Sequence, residues 1–313
     1  MPAVQTARGP VDTAALGFTL MHEHVITAGP NLFANWPHLF DRAAEVVRAG
    51  ELLEEARAAG VQTLVDLTTV DLGRDVALVR EIAHRTELHI IVATGVHLNP
   101  PGYFRRRRPE PIVDLYVRDI EQGCAHTGVR AGILKIANEQ DVTAEDELQL
   151  RAIALAHRAT GVPISTHSNP ARRNGLDQQR VFRAEGVDLS RVVIGHSGDT
   201  TDLGYLSALM EAGSTIGLDR FGLDVGTNTE QRIGTIVELC RRGFADRLVL
   251  SHDTAAYADV FPLSVHHHRP DWNFLTIPTK VIPEVCRRGV AEEQIAAMTV
   301  GNPRRLFERQ GPY

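Results

Sequence analysis

Residues 17–25 read GFTLMHEHV: an apolar run that follows a glycine and ends in His-Glu-His. On a strand, alternate residues share a face, so His22 and His24 point the same way. Seven further runs have the same character: 61–69, 89–97, 131–138, 163–169, 192–199, 214–222 and 247–254. They are short and β-branched, and many follow Gly or Pro, which predicts buried strands. Helical patterns fill the gaps at 42–60, 75–86, 112–128, 145–161, 174–186, 201–213, 229–243 and 278–289. Several of them end in Gly, which is favoured just past a helix C-terminus. Strands alternating with helices predict a parallel sheet. Eight such units in 313 residues predict an α/β fold, a closed (β/α)8 TIM barrel forming one domain over residues 1–313. The stretches 26–41 and 254–277 are long for βα loops, and both fall on the C-terminal rim, where barrels build active sites.

Composition narrows the function. Hydrophobic residues make up 43% and charged residues 23%, which gives material for a core and argues against intrinsic disorder. The net charge of -6 speaks against a nucleic-acid binder. No apolar run is long enough to span a membrane. The start, MPAVQTARGPVDTAALG, lacks the basic and apolar regions of a secretory signal. Three scattered cysteines make neither a disulfide framework nor a cysteine zinc site, and a reduced, cytoplasmic setting is expected. By contrast there are 14 histidines, and only two lysines, Lys135 and Lys280.

The predicted strand ends carry a pattern. The first ends in His22 and His24, the fourth in Lys135, the fifth in His167, the sixth in His196 and the eighth in Asp253. In a barrel these side chains converge on one spot. Any one of them alone suits a hydrogen-bonded structural residue, but together they predict a metal site. Neutral imidazoles and a carboxylate suit Zn, Fe, Mn, Co or Ni without choosing among them. An ammonium aimed at a metal would be repelled, so Lys135 is either a structural ion-pair partner or a lysine converted to a carbamate.

These motifs, TLMHEHV, AGILKIA, ISTHS, VIGHSGD and SHD, resemble those of the amidohydrolase superfamily and, more narrowly, the phosphotriesterase family. GLDRFGLD (217–224), the N-terminal TARGPVDTAALGF and GNPRRLFERQG resemble its phosphotriesterase-like lactonase branch, and the likeness runs from about residue 6 to 311. The resemblance implies two divalent metals, zinc first, with iron, cobalt or manganese as alternatives. His22, His24 and Asp253 would hold the more buried metal and His167 and His196 the more exposed one, with carbamylated Lys135 and a hydroxide bridging them. It further implies attack by that hydroxide on a lactone carbonyl, with weaker organophosphate hydrolysis at the same site. Asp253 would handle the proton, and Arg220 and Asp199 would support Asp253. A homodimer acting on a small-molecule lactone or ester is expected, with the aromatics of 26–41 available for an interface.

For substrate contacts, His97 stands where the lactonase branch usually has Tyr, and is the clearest departure from that pattern. Trp272, Tyr257 and Phe261, with other apolar residues of 254–277, are expected to line a channel. Arg105–Arg108 and His266–His268 read as solvated segments, and His84, His126 and His157 as helix-end residues favoured as cations by the dipole. Two alternatives remain open. One is a hydrolase of this family acting on a non-lactone ester, amide or phosphoester; the other is a barrel that binds a ligand without turnover. A TatD-like nuclease, which uses Glu rather than Lys on the fourth strand, is disfavoured by Lys135 and by the lack of net positive charge.

Overall fold

The computed structural model describes residues 2–105, 107–259, 269–308 and 311–313. A hairpin, β1 (Ala3–Thr6) and β2 (Gly9–Asp12), precedes the barrel strands. These are β3 (Thr19–Thr27), β4 (Thr63–Asp66), β5 (His89–Gly95), β6 (Ile133–Ala137), β7 (Ile164–His167), β8 (Val192–Ile194), β9 (Thr215–Leu218) and β10 (Leu248–Leu250). All pair in parallel with their sequential neighbours, and each of the eight falls within or overlaps an expected run. Helices such as Arg42–Ala58, Ala144–Thr160 and Thr229–Arg241 return the chain between strands. The fold is the (β/α)8 barrel.

Closure differs from expectation in one respect. The eighth strand does not run on through residue 254. It breaks at Ser251–Thr254 and resumes as β11 (Ala255–Ala258), which pairs in parallel with β3, so part of the expected rim loop is sheet. Asp253 N–H donates to His22 O at 3.1 Å, and His24 N–H to Thr254 O at 2.8 Å, joining the two ends of the sheet. The register of β3 against β4 shifts between Leu20 and Glu23, leaving one extra residue on β3. Such bulges bend a strand and re-aim its side chains.

The lumen is packed by Met21, Val65, Ile91, Ala93, Ile133, Val193 and Val249. Val4 from the hairpin, Leu16, and Leu306 and Phe307 from the C-terminal helix Asn302–Glu308 join this cluster and floor the barrel. Neither of these end elements was apparent in the sequence pattern. The larger apolar cluster lies between sheet and helices. The residues expected as metal ligands lie above this layer, at the C-terminal end. One helix-end histidine departs from the expected cation. His157 is fully buried and burial pushes its pKa down to about 4; it donates from Nδ1 to Val162 O at 2.7 Å and accepts from the Tyr313 hydroxyl at 2.6 Å.

Candidate metal centre

The structure brings His22, His24, Lys135, His167, His196 and Asp253 together at the C-terminal mouth, around a cavity of about 490 Å³. Their hydrogen bonds fix which nitrogen of each imidazole is free. Asp219 is acceptor-only when ionised, and it lies 2.7 Å from His22 Nδ1 and 2.9 Å from His196 Nδ1. Both Nδ1 atoms therefore carry the proton, and both Nε2 lone pairs point inward. The Thr68 hydroxyl donates to Asp66 at 2.5 Å, so it accepts from His24 Nδ1 at 2.8 Å. His24 Nε2 is likewise free. His167 Nε2 donates to Glu139 at 2.7 Å, which leaves His167 Nδ1 free.

Free acceptors then face one another. The His22 and His24 Nε2 atoms stand 3.4 and 3.3 Å from Asp253 Oδ1. His196 Nε2 stands 2.9 Å from His167 Nδ1. Lone pairs converging on a carboxylate, or on each other, repel unless a cation lies between them. The ligand atoms of His22, His24 and Asp253 lie within 4.8 Å of one another. The donor set therefore fits two metal ions, one in the His22/His24/Asp253 group and one beside His167 and His196. Burial pushes the pKa values of His22, His167 and His196 down, which keeps the imidazoles neutral as metal ligands require.

Lys135 is buried between these groups. Its Nζ lies 3.1 Å from His22 Nε2, and burial lowers its pKa to about 8 against the pull of Asp253 and Asp219. Asp253 takes a left-handed backbone, φ 55°, as does His196, φ 57°. Non-glycine residues held this way are uncommon, and they concentrate at functional sites. Burial opposes the Asp253 charge, but the positive charge around it, including the Arg220 guanidinium, outweighs burial and holds the carboxyl well below its usual range. Arg220 donates to Asp253 at 3.0 Å and to Asp199 at 2.6 Å, and the fully buried Arg232 donates to the other Asp199 oxygen at 2.6 Å. Asp199 therefore touches Arg220 and not Asp253.

Glu23, between the two histidines, clamps the break in the eighth strand. Its Oε1 accepts from the Ser251 hydroxyl, His252 N–H and His252 Nδ1 at 2.7–2.8 Å, and Oε2 accepts from Thr254 N–H at 3.0 Å. That clamp brackets Asp253. Asp219 in turn occupies a space made by glycines. A Cβ on Gly217 would lie 2.7 Å from Asp219 Oδ2, and one on Gly195 3.0 Å.

Of the expected substrate contacts, His97 and Trp272 line the cavity with Leu72, Leu98, Leu223 and Val225. His97 Nε2 lies 3.3 Å from His167 Nδ1, and its backbone N–H is held by Asp71 at 2.8 Å. Tyr257 is a correction: it does not line this cavity. β11 turns it toward Phe33 and Phe40, and it lines a neighbouring cavity with Phe274 and Leu275. Phe261 and His266–His268 lie outside the described residues. Asp219, Asp66, Thr68, Glu139, Glu23 and Arg232 escaped the sequence reading. The one available signal was Asp219 itself, a carboxylate at a strand end directly before Arg220.

A barrel with this donor set at its mouth defines the class of a metal-dependent hydrolase, and comparison with known proteins gives the family. The phosphotriesterase family model matches residues 2–307, and the chain belongs to that family. It is 49% identical over 325 aligned positions to a phosphotriesterase homology protein of Mycobacterium tuberculosis, covering all of both chains. It is 36% identical to an aryldialkylphosphatase of Saccharolobus solfataricus, over 95% of this chain and 96% of that one. It is 26% identical to an N-acetyltaurine hydrolase of Tetraodon nigroviridis, over 96% of each. The solved structure of the phosphotriesterase from M. tuberculosis superposes with a TM-score of 0.96 at 48% identity, covering both chains fully. The protein is a hydrolase of this family. Among the described residues no helix is long and apolar enough to cross a membrane.

Proposed function

We propose that the protein is a lactonase that opens acyl-homoserine or other aliphatic lactones, with a weaker phosphotriesterase activity at the same site. The observation that carries this reading is the join of a two-metal donor set to a cavity whose other walls are mainly apolar, with Leu72, Leu98, Leu223, Val225 and Trp272 among the lining residues. His22, His24 and Asp253 would hold one ion and His167 and His196 the other, with zinc, iron, cobalt or manganese as candidates. Ions held there supply Lewis acidity to a carbonyl or phosphoryl oxygen and bring the pKa of water from 15.7 to near 7.

Lys135 would serve as the bridging ligand after its neutral amine adds to CO2. The ammonium first gives up one proton to solvent; the neutral amine then forms a nitrogen–carbon bond with CO2, releases a second proton, and becomes a carbamate anion. Asp253 takes the proton of the attacking water and returns it to the leaving oxygen. Arg220 keeps Asp253 ionised and oriented, and Asp199, itself held by Arg232, holds Arg220. His97 faces the cavity beside His167 and would orient the substrate oxygen. A homodimer is proposed as well; Trp36 and Leu39, each 53% exposed, offer an apolar face.

A second reading keeps the site and changes the substrate to a non-lactone ester, amide or phosphoester. His97 in place of Tyr favours it, as do the relatives named for amide and phosphoester substrates. Steady-state kcat/KM on metal-loaded enzyme separates the two, using a long-chain acyl-homoserine lactone, an aliphatic δ-lactone, a phosphotriester and an N-acetyl amide. Preference for the lactones by orders of magnitude supports the first reading; amide or phosphotriester turnover with negligible lactone opening transfers the assignment to the second.

A further inference from the structure

Among the described residues, two arginines line the cavity at the barrel mouth, and only Arg220 is paired with carboxylates. Arg220 is shared between Asp253 and Asp199. Arg269, half-buried, lines the same cavity and also the neighbouring one, standing with Trp272 where the two meet. Among the described residues no carboxylate lies within ion-pair distance of it. Most of the acids nearby are engaged elsewhere, and Glu55, which lines the neighbouring cavity, is not within ion-pair distance of it. Asp271 holds Lys280 at 2.5 Å, Asp259 accepts from the Gly29 N–H at 2.9 Å, and Glu45 holds Arg48 at 2.5 Å. The adjoining segment 260–268, VFPLSVHHH, contains no Asp or Glu.

The arginine is also rooted. Its carbonyl accepts from Trp272 N–H at 3.0 Å, and the buried Trp272 donates from Nε1 to His252 O at 2.9 Å, tying the turn to the top of the eighth strand. A cation fixed at the edge of a mainly apolar cavity, in a chain of net charge -6, is not part of a general basic surface.

We propose that Arg269 recognises an oxyanion on the substrate, remote from the bond that is cleaved. The substrate is then a lactone, ester or amide whose far end carries a carboxylate, sulfonate or phosphate. A guanidinium presents a planar fork of N–H donors that matches such groups, and hydrogen bonds to charged partners are among the stronger ones. This inference rests on the hydrolase reading of the same cavity and narrows its substrate class to anion-bearing substrates, which sets aside the neutral acyl-homoserine lactones.

The test uses metal-loaded enzyme and a chromogenic pair matched in size, mono-(4-nitrophenyl) glutarate and its terminal carboxamide. The wild type is expected to favour the carboxylate roughly tenfold or more in kcat/KM, chiefly through KM. Arg269→Gln should collapse that ratio, and Arg269→Lys should restore part of it. Equal kcat/KM on both esters in the wild type, or a ratio unchanged by Arg269→Gln, overturns the proposal while leaving the hydrolase reading intact. If neither ester is cleaved, the hydrolase reading is what suffers, and the proposal is decided by calorimetric binding of glutaramate to holoenzyme. A carboxylate captured by the metals alone is held equally by wild type and Arg269→Gln, which overturns it; tenfold weaker binding to the variant supports it.

Discussion

His167 Nδ1 and His196 Nε2 stand 2.9 Å apart, and each ring has already spent its N–H, on Glu139 and on Asp219 respectively. Two lone pairs at that distance need a cation between them. Metal-loaded protein is therefore expected to carry two equivalents by elemental analysis. His196→Ala should lose about one of them, and chelation should lower the thermal midpoint. Free metal a thousandfold above Kd contributes about 4 kcal/mol to stability. Two equivalents retained in His196→Ala would remove the imidazole pair from the site.

Asp219 joins the two halves of the centre, since one oxygen takes the His22 Nδ1–H and the other the His196 Nδ1–H. In Asp219→Asn only one acceptor remains, and the amide NH2 faces the other imidazole N–H. Losing the group that orients a ligand typically costs about 10–100-fold in metal affinity or activity. Competition against a chelator is expected to show that loss, with both histidine sites weakened. Metal affinity equal to wild type would mean the rings are held by packing alone.

The clustering of the six residues expected as ligands was legible because each ends a run of apolar, β-branched residues, so position in the pattern and residue type pointed to one place. Their supports were not, because a hydrogen-bond partner is set by which strands become neighbours in space. Glu139 sits on the loop after β6 and meets His167 across the mouth. Glu23 lies in plain sight in His-Glu-His, but its partners are 228 to 231 residues away in the chain. The break before β11 likewise depends on that clamp, and the apolar run that ends at Asp253 carries no local sign of it. The place of Tyr257 is set in the same way: once β11 pairs with β3, its ring lies against Phe33 and Phe40.

Glu23 gives a prediction of its own. Its carboxylate is fully buried and satisfies four donors around Asp253. Glu23→Ala leaves those donors without acceptors, and breaking a buried charged network costs about 3–5 kcal/mol. Denaturant unfolding should record that loss. Because Asp253 is displaced as well, kcat should fall by more than KM rises. A variant with wild-type stability and kcat would show that the strand break holds itself.

Lys135 is expected to be indispensable to the metals rather than to the fold alone. Lys135→Ala should lose bound metal and activity, and short carboxylic acids plus metal should restore part of both. In the wild type, isotope-labelled bicarbonate should give a carbamate carbon signal by NMR that Lys135→Ala lacks. Full metal occupancy and normal turnover in the variant would sink the carbamate.

Away from the centre, His157 sets an acid-side limit on stability. Burial lowers its pKa from 6.5 to about 4, so between those values the unfolded chain binds a proton that the folded chain refuses. Stability must fall as pH drops through that window, because the unfolded state takes up more protons there. From neutrality to about pH 5 the contribution is on the order of 2 kcal/mol. His157→Gln keeps a donor for the Val162 carbonyl but does not titrate. The stability gap between wild type and this variant, measured by urea unfolding, should therefore shift in favour of the variant by that amount as the pH is lowered. A gap that stays constant from pH 8 to pH 5 would mean that the imidazole takes up its proton in place, with the Tyr313 hydroxyl turning to accept it.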